Sequence, residues 1–112
     1  MKRFCLALDL KNDPHLVAEY EKYHEEVWPE ILDSIREAGI LDMEIYRTGN
    51  RMCMIMQTTD AFSFTEKAKA DAADPVVQKW EELMWKYQQA VPSAKPGEKW
   101  VLMEKIFALN KE

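Results

Sequence analysis

Residues 4 to 10, FCLALDL, alternate strictly: Phe4, Leu6, Leu8 and Leu10 fall on one face, Cys5, Ala7 and Asp9 on the other. A period of two marks a strand. The pattern then changes. Asp13 stands where a helix N-cap is wanted, with Pro14 at the first helical position. From there to Ala38 the apolar residues Leu16, Tyr20, Val27, Ile31 and Ile35 recur at helical spacing, and Gly39 supplies the stop. Pro29 lies inside this stretch. It lacks an amide hydrogen and crowds the carbonyl of Glu25, so a kink is expected, or two helices meeting at Trp28.

LDMEIYR (41–47) and RMCMIMQT (51–58) read as a hairpin joined through TGN, whose glycine and asparagine tolerate positive φ. Residues 61–73 and 75–89 read as a second helical region, restarted at Asp74 and Pro75. A loop with Pro92, Pro96 and Gly97 leads to a last strand, KWVLMEKIFAL (99–109). The order is βαββαβ, an α+β, ferredoxin-like arrangement in a single domain over residues 1–112.

A sheet whose helices cover one face normally turns a polar face to water. Strand 3 does not: Met52, Met54 and Met56 are backed by Cys53 and Ile55. The last strand repeats this, with Trp100, Leu102 and Ile106 backed by Val101, Met103 and Phe107. Two apolar faces need two covers. The simplest second cover is an identical chain, so a homodimer through the sheet faces is expected.

Composition removes several classes of function. A formal net charge of −5 disfavours nucleic acid and anionic membrane surfaces as partners. Cys5 and Cys53 sit in apolar runs, as buried small hydrophobes do in a reducing compartment. The first apolar run is broken by Asp9 and Lys11, too soon for a signal segment, and no run approaches the roughly 18 apolar residues of a membrane span. A cytoplasmic location is the expectation.

HEEVW (24–28) matches a zinc-binding H-E-x-x-H until Trp28 takes the place of the second ligand. The cysteines are far apart, and nothing offers three or four converging ligands, so no metal is expected. Three glycines leave no phosphate loop and no dinucleotide fingerprint. What remains is Tyr20, His24 and Trp28, one stripe at i, i+4, i+8. That spacing also fits an ordinary amphipathic face with a satisfied histidine. Two features favour chemistry. Histidine exchanges protons near neutral pH, and aromatic rings with polar tips suit the C–H faces and hydroxyls of a sugar. Tyr46, Trp80 and Trp85 are further aromatics of this kind, though each also suits plain packing.

The segment YEKYHEEVWPEILDSIREAGILDMEIYR (20–47) resembles the L-rhamnose mutarotase family. Family members share a tyrosine, a histidine four residues on, a Trp-Pro-Glu, a helix ending in glycine and an Ile-Tyr strand. Trp80, in VVQKWEELMWKYQQAVP (76–92), falls where the family has a tryptophan before a proline-ended segment. The likeness spans nearly the whole chain. It implies a dimeric α+β barrel of ferredoxin-like halves, and interconversion of the α and β anomers of a deoxy sugar without cofactor or metal. By the same likeness His24 is the catalytic acid/base, Tyr20 and Trp80 bind substrate, and Trp28, Pro29 and Glu30 match the motif, with Trp28 in a binding or packing role.

Two positions depart from the family pattern. Met43 stands in place of a tyrosine, and Glu81 in place of a second tryptophan. The longer segment from Trp80 to Pro92 would let Trp85 take over that second role, while Tyr46 on the second strand matches the family's Ile-Tyr tyrosine. These changes bear on the sugar more than on the reaction, so L-fucose stands beside L-rhamnose as the monosaccharide. Two other readings fit the same residues: a cofactorless monooxygenase of the dimeric α+β barrel type, and a non-catalytic sugar-binding dimer.

Overall fold

A computed structural model describes residues 1–110; Lys111 and Glu112, the end of the expected domain, lie outside the described residues. The elements run β1 (Lys2–Leu10), α1 (Pro14–Glu25), α2 (Pro29–Glu37), β2 (Ile40–Thr48), β3 (Arg51–Thr58), α3 (Phe64–Ala73), α4 (Pro75–Trp85), β4 (Gln88–Gln89) and β5 (Val101–Leu102). Local chemistry sets most of these boundaries. The Asp13 carboxylate accepts from the amides of His15 and Leu16, and Asp74 does the same for Val76 and Val77 at the start of α4. Ser63 caps α3 through Glu66. Each such cap stabilises its helix by about 1 kcal/mol.

Pro29 breaks the first helical stretch completely. Trp28 adopts φ −54° and ψ 133°, the extended geometry that a following proline enforces, and α2 starts afresh with Pro29 in its first turn. At Gly39 φ is +94°, and an added Cβ would lie 2.9 Å from the Thr59 hydroxyl. Only glycine fits there.

The sheet is antiparallel, in the order β2-β3-β1-β4, with β5 pairing the same edge of β1 as β4. This is the ferredoxin-like order, and the α+β expectation holds. Leu8 and Leu10 of β1, with Met52 of β3, meet Tyr20, Ile31, Val77, Trp80, Met84 and Tyr87 in the main core. Leu6 and Met56 continue it toward Ile40 and Phe62. A leucine-to-alanine change at Leu8, which has no exposed surface, costs about 2–5 kcal/mol.

Two expected elements are corrected. The helix expected over 75–89 ends at Trp85, and Gln88 and Gln89 instead pair with Leu10 and Asp9 of β1. Met84, Tyr87, Gln88 and Val91 are all buried, so their i, i+3, i+4, i+7 spacing imitates a helical stripe while the backbone leaves the helix. The strand expected over 99–109 is regular only at Val101–Leu102. The Met103 amide still donates to the Cys5 carbonyl at 2.7 Å. Beyond it, the Leu6↔Leu102 register would set Lys105 opposite Arg3, and like charges across a ladder repel.

The face of the sheet away from the helices carries Cys5, Ala7, Cys53, Ile55 and Val101, as the strand registers require. The two cysteine sulfurs lie 2.8 Å apart as free thiols. Asp9 and Arg51 form a two-bond ion pair at the rim, at 2.8 and 3.0 Å. This face is apolar at its centre, as expected. Among the described residues no helix is long and apolar enough to cross a membrane.

Candidate functional site

Between the helices and the sheet lies a cavity of about 750 Å³, within the range of small-molecule sites. Tyr20 and His24, one turn apart on α1, both line it. Their rings stack at 4.3 Å between centroids. His24 Nδ1 lies 2.8 Å from the Tyr20 carbonyl oxygen. A carbonyl only accepts, so Nδ1 carries the hydrogen and the neutral ring keeps its lone pair on Nε2. Burial pushes the His24 pKa below its ordinary value, partly offset by that hydrogen bond. The imidazole is therefore a neutral proton acceptor near neutral pH.

Tyr20 is nearly fully buried, and burial raises the pKa of its phenol. The Gln88 side-chain amide donates to the Tyr20 hydroxyl oxygen at 3.1 Å and opposes that rise. With its oxygen already accepting, the hydroxyl has its own hydrogen left to give. A neutral acceptor and a neutral donor thus stand side by side.

Trp80 closes this end from α4. Its ring meets His24 edge-on at 5.7 Å and Trp28 at 5.0 Å. Met43 and Glu81 line the cavity as well. Five of the residues singled out in the sequence, Tyr20, His24, Met43, Trp80 and Glu81, therefore share one cavity.

Three others are placed elsewhere. The expected stripe of Tyr20, His24 and Trp28 is broken, because Trp28 precedes Pro29 outside α1; it packs behind Trp80 and does not line the cavity. Tyr46 pairs with Cys53 and so faces the opposite side of the sheet from Met43, which pairs with Met56. Trp85 is 42% exposed, and its ring carries Lys99 Nζ at 5.2 Å. That lysine lines the cavity itself and lies 3.9 Å from Glu81, so Trp85 reaches the cavity only through Lys99.

Sequence reasoning missed Gln88, Trp100, Lys67 and Asp71, all of which line the cavity. Lys67 and Asp71 were readable as one turn of one helix face. Gln88 was not, because its partner is 68 positions away. Among the described residues no group of three or more His, Cys, Asp or Glu side chains converges as metal ligands would.

Comparison with known proteins gives concordant results. The family model for L-rhamnose mutarotase matches residues 3–109. An L-fucose mutarotase of Xanthomonas campestris pv. campestris is 46% identical, over 98% of this chain and 90% of that protein. An L-rhamnose mutarotase of Jannaschia sp. is 29% identical, over 86% of this chain and 88% of that protein. The crystal structure of an L-rhamnose mutarotase from Formosa agariphila superposes with a TM-score of 0.72 at 18% identity, over 98% of this chain and all of that one, and shares the fold.

Proposed function

The chain belongs to the L-rhamnose mutarotase family, an isomerase family acting on sugar anomers, and from that premise we propose that His24 and Tyr20 catalyse anomer exchange of a 6-deoxy sugar. The observation that carries the reading is the pairing of the two rings, one a neutral base and one a neutral acid, within a single cavity.

The chemistry needs two proton transfers in each direction. His24 Nε2 takes the proton of the anomeric hydroxyl as the Tyr20 hydroxyl protonates the ring oxygen. The bond from C1 to the ring oxygen breaks and an open-chain aldehyde forms. Rotation about the C1–C2 bond presents the other carbonyl face. On closure the attacking hydroxyl returns its proton to the Tyr20 oxygen, and the protonated His24 returns its own to the new anomeric oxygen. Protons and electrons balance, and both residues end as they began. The Gln88 amide stabilises the transient phenolate by a hydrogen bond that strengthens with charge. Trp80 offers an apolar face to the sugar ring.

L-fucose is the favoured sugar. The 46% identity to a protein named L-fucose mutarotase supports it, as do Met43 and Glu81, which replace two aromatic residues of the rhamnose pattern. L-rhamnose is the second reading, supported by the family model itself. The apolar sheet face around Cys53 and Ile55 supports a homodimer through that face.

NMR saturation transfer between the α and β anomeric signals, measured on L-fucose, L-rhamnose and their D counterparts, tests the reading. Accelerated exchange of an L-6-deoxy sugar is expected. Binding without acceleration would identify a sugar-binding module instead.

A further inference from the structure

Helix α3 covers the cavity without burying any of its own residues. Phe64, Lys67, Ala68 and Asp71 all line the cavity. Their spacing of i, i+3, i+4, i+7 is one helix face turned inward. A helix that merely packs on a sheet carries large apolar residues on that face. Here Phe64 is followed by a charged pair and an alanine.

Lys67 Nζ meets Asp71 Oδ2 at 2.5 Å, with 23% and 15% of the two side chains exposed. Both side chains keep part of their surface exposed, and neither holds a buried atom without a partner. The ammonium has three hydrogens and the carboxylate two oxygens, so donors and an acceptor are left over at the cavity wall. The pair is also held in place. The Gln78 side chain donates to the Asp71 carbonyl at 2.8 Å, tying the end of α3 to α4, which carries Trp80.

We propose that Lys67 and Asp71 form a hydroxyl-recognition subsite for a vicinal diol of the sugar, away from its anomeric carbon. One hydroxyl donates to the Asp71 carboxylate and its neighbour accepts from the Lys67 ammonium. Both hydrogen bonds are charge-assisted. The subsite rests on the sugar-isomerase reading, and gives its cavity two ends: proton transfer at Tyr20 and His24, recognition at α3. Because the diol does not react, the contacts are equal in ground and transition states, and their loss raises KM while kcat holds.

The test is anomer-exchange kinetics of the full chain on L-fucose and L-rhamnose for wild type, Asp71→Ala, Lys67→Ala and Asp71→Asn. The alanine variants are expected to raise KM by roughly 10-fold or more on the sugar used, the worth of one charged hydrogen bond. Asp71→Asn, which keeps the shape and part of the hydrogen bonding, should fall between them and wild type. An unchanged KM with a lowered melting temperature would make the pair a structural brace and overturn the subsite. A loss confined to kcat would overturn it equally. If an alanine variant does not fold, Asp71→Asn with unaltered KM decides against the subsite. Wild-type protein inactive on every sugar would instead sink the functional reading, and the subsite with it.

Discussion

Gln88 donates its side-chain amide to the Tyr20 hydroxyl at 3.1 Å, joining residues 68 positions apart in the chain. The bond exists because the backbone leaves α4 at Trp85 and pairs with β1 at Gln88. It directs the Tyr20 hydrogen away from Gln88 and lowers the cost of giving it up. Replacing Gln88 with methionine keeps the volume and removes the donor. We expect kcat to fall roughly 10-fold with KM little changed, and stability to fall by about 1–3 kcal/mol, because a buried oxygen loses its partner. Exchange kinetics and urea unfolding of Gln88→Met measure the two effects.

Burial holds His24 below the ordinary histidine pKa of 6.5. The neutral form is the proposed base, so the acid limb of kcat/KM is expected below that value. Stability follows the same sign. The unfolded chain binds a proton at His24 before the folded chain does, so stability falls as pH drops through about 6.5 and is flat above it. Urea midpoints against pH should show this slope, and His24→Gln should flatten it.

Trp80 and Trp85 separate by position although both are tryptophans of α4. Trp80 is 9% exposed and touches His24 and Trp28. Trp80→Ala is expected to cost about 3–5 kcal/mol and to remove the ring face proposed to meet the sugar. Trp85 is 42% exposed and carries Lys99. Trp85→Ala costs about 1 kcal/mol or less, the worth of an exposed cation–π contact. Its exchange rate should stay near that of wild type.

Ile55 lies at the centre of the free sheet face, opposite Cys5 in the β1–β3 register. A lysine there places charge where the proposed partner packs. Sedimentation should show wild type as a dimer and Ile55→Lys as a monomer with an unchanged circular dichroism spectrum.

Much of this arrangement is written locally. Asp13, Pro14, Pro29, Gly39 and Asp74 act through their own turns, and the elements they bound appear where their chemistry puts them. The paired faces of β1 and β3 follow from strict alternation. Tyr46 is different, and instructive: it stands three positions after Met43, an odd spacing that places the two on opposite faces of one strand. A register shift between Ile40 and Asp42 then keeps Ile40 and Met43 on the helix side together. Trp28 looked like part of the α1 stripe only if Pro29 bent the helix without ending it. The buried series Met84, Tyr87, Gln88, Val91 has helical spacing without a helix, because capture by the edge of β1 is a tertiary event. The last strand is likewise decided by tertiary pairing: only Val101 and Leu102 find ladder partners on β1, and no local pattern reveals where that pairing stops.

In the proposed reaction His24 moves the protons of anomer exchange. Saturation transfer on L-fucose and L-rhamnose with wild type and His24→Gln, at matched concentration and with both proteins shown folded, tests it most directly. Wild type is expected to accelerate exchange of one or both sugars, and His24→Gln to lose about 10²–10⁴-fold, the usual worth of a positioned acid/base group. Exchange by His24→Gln at the wild-type rate would contradict it.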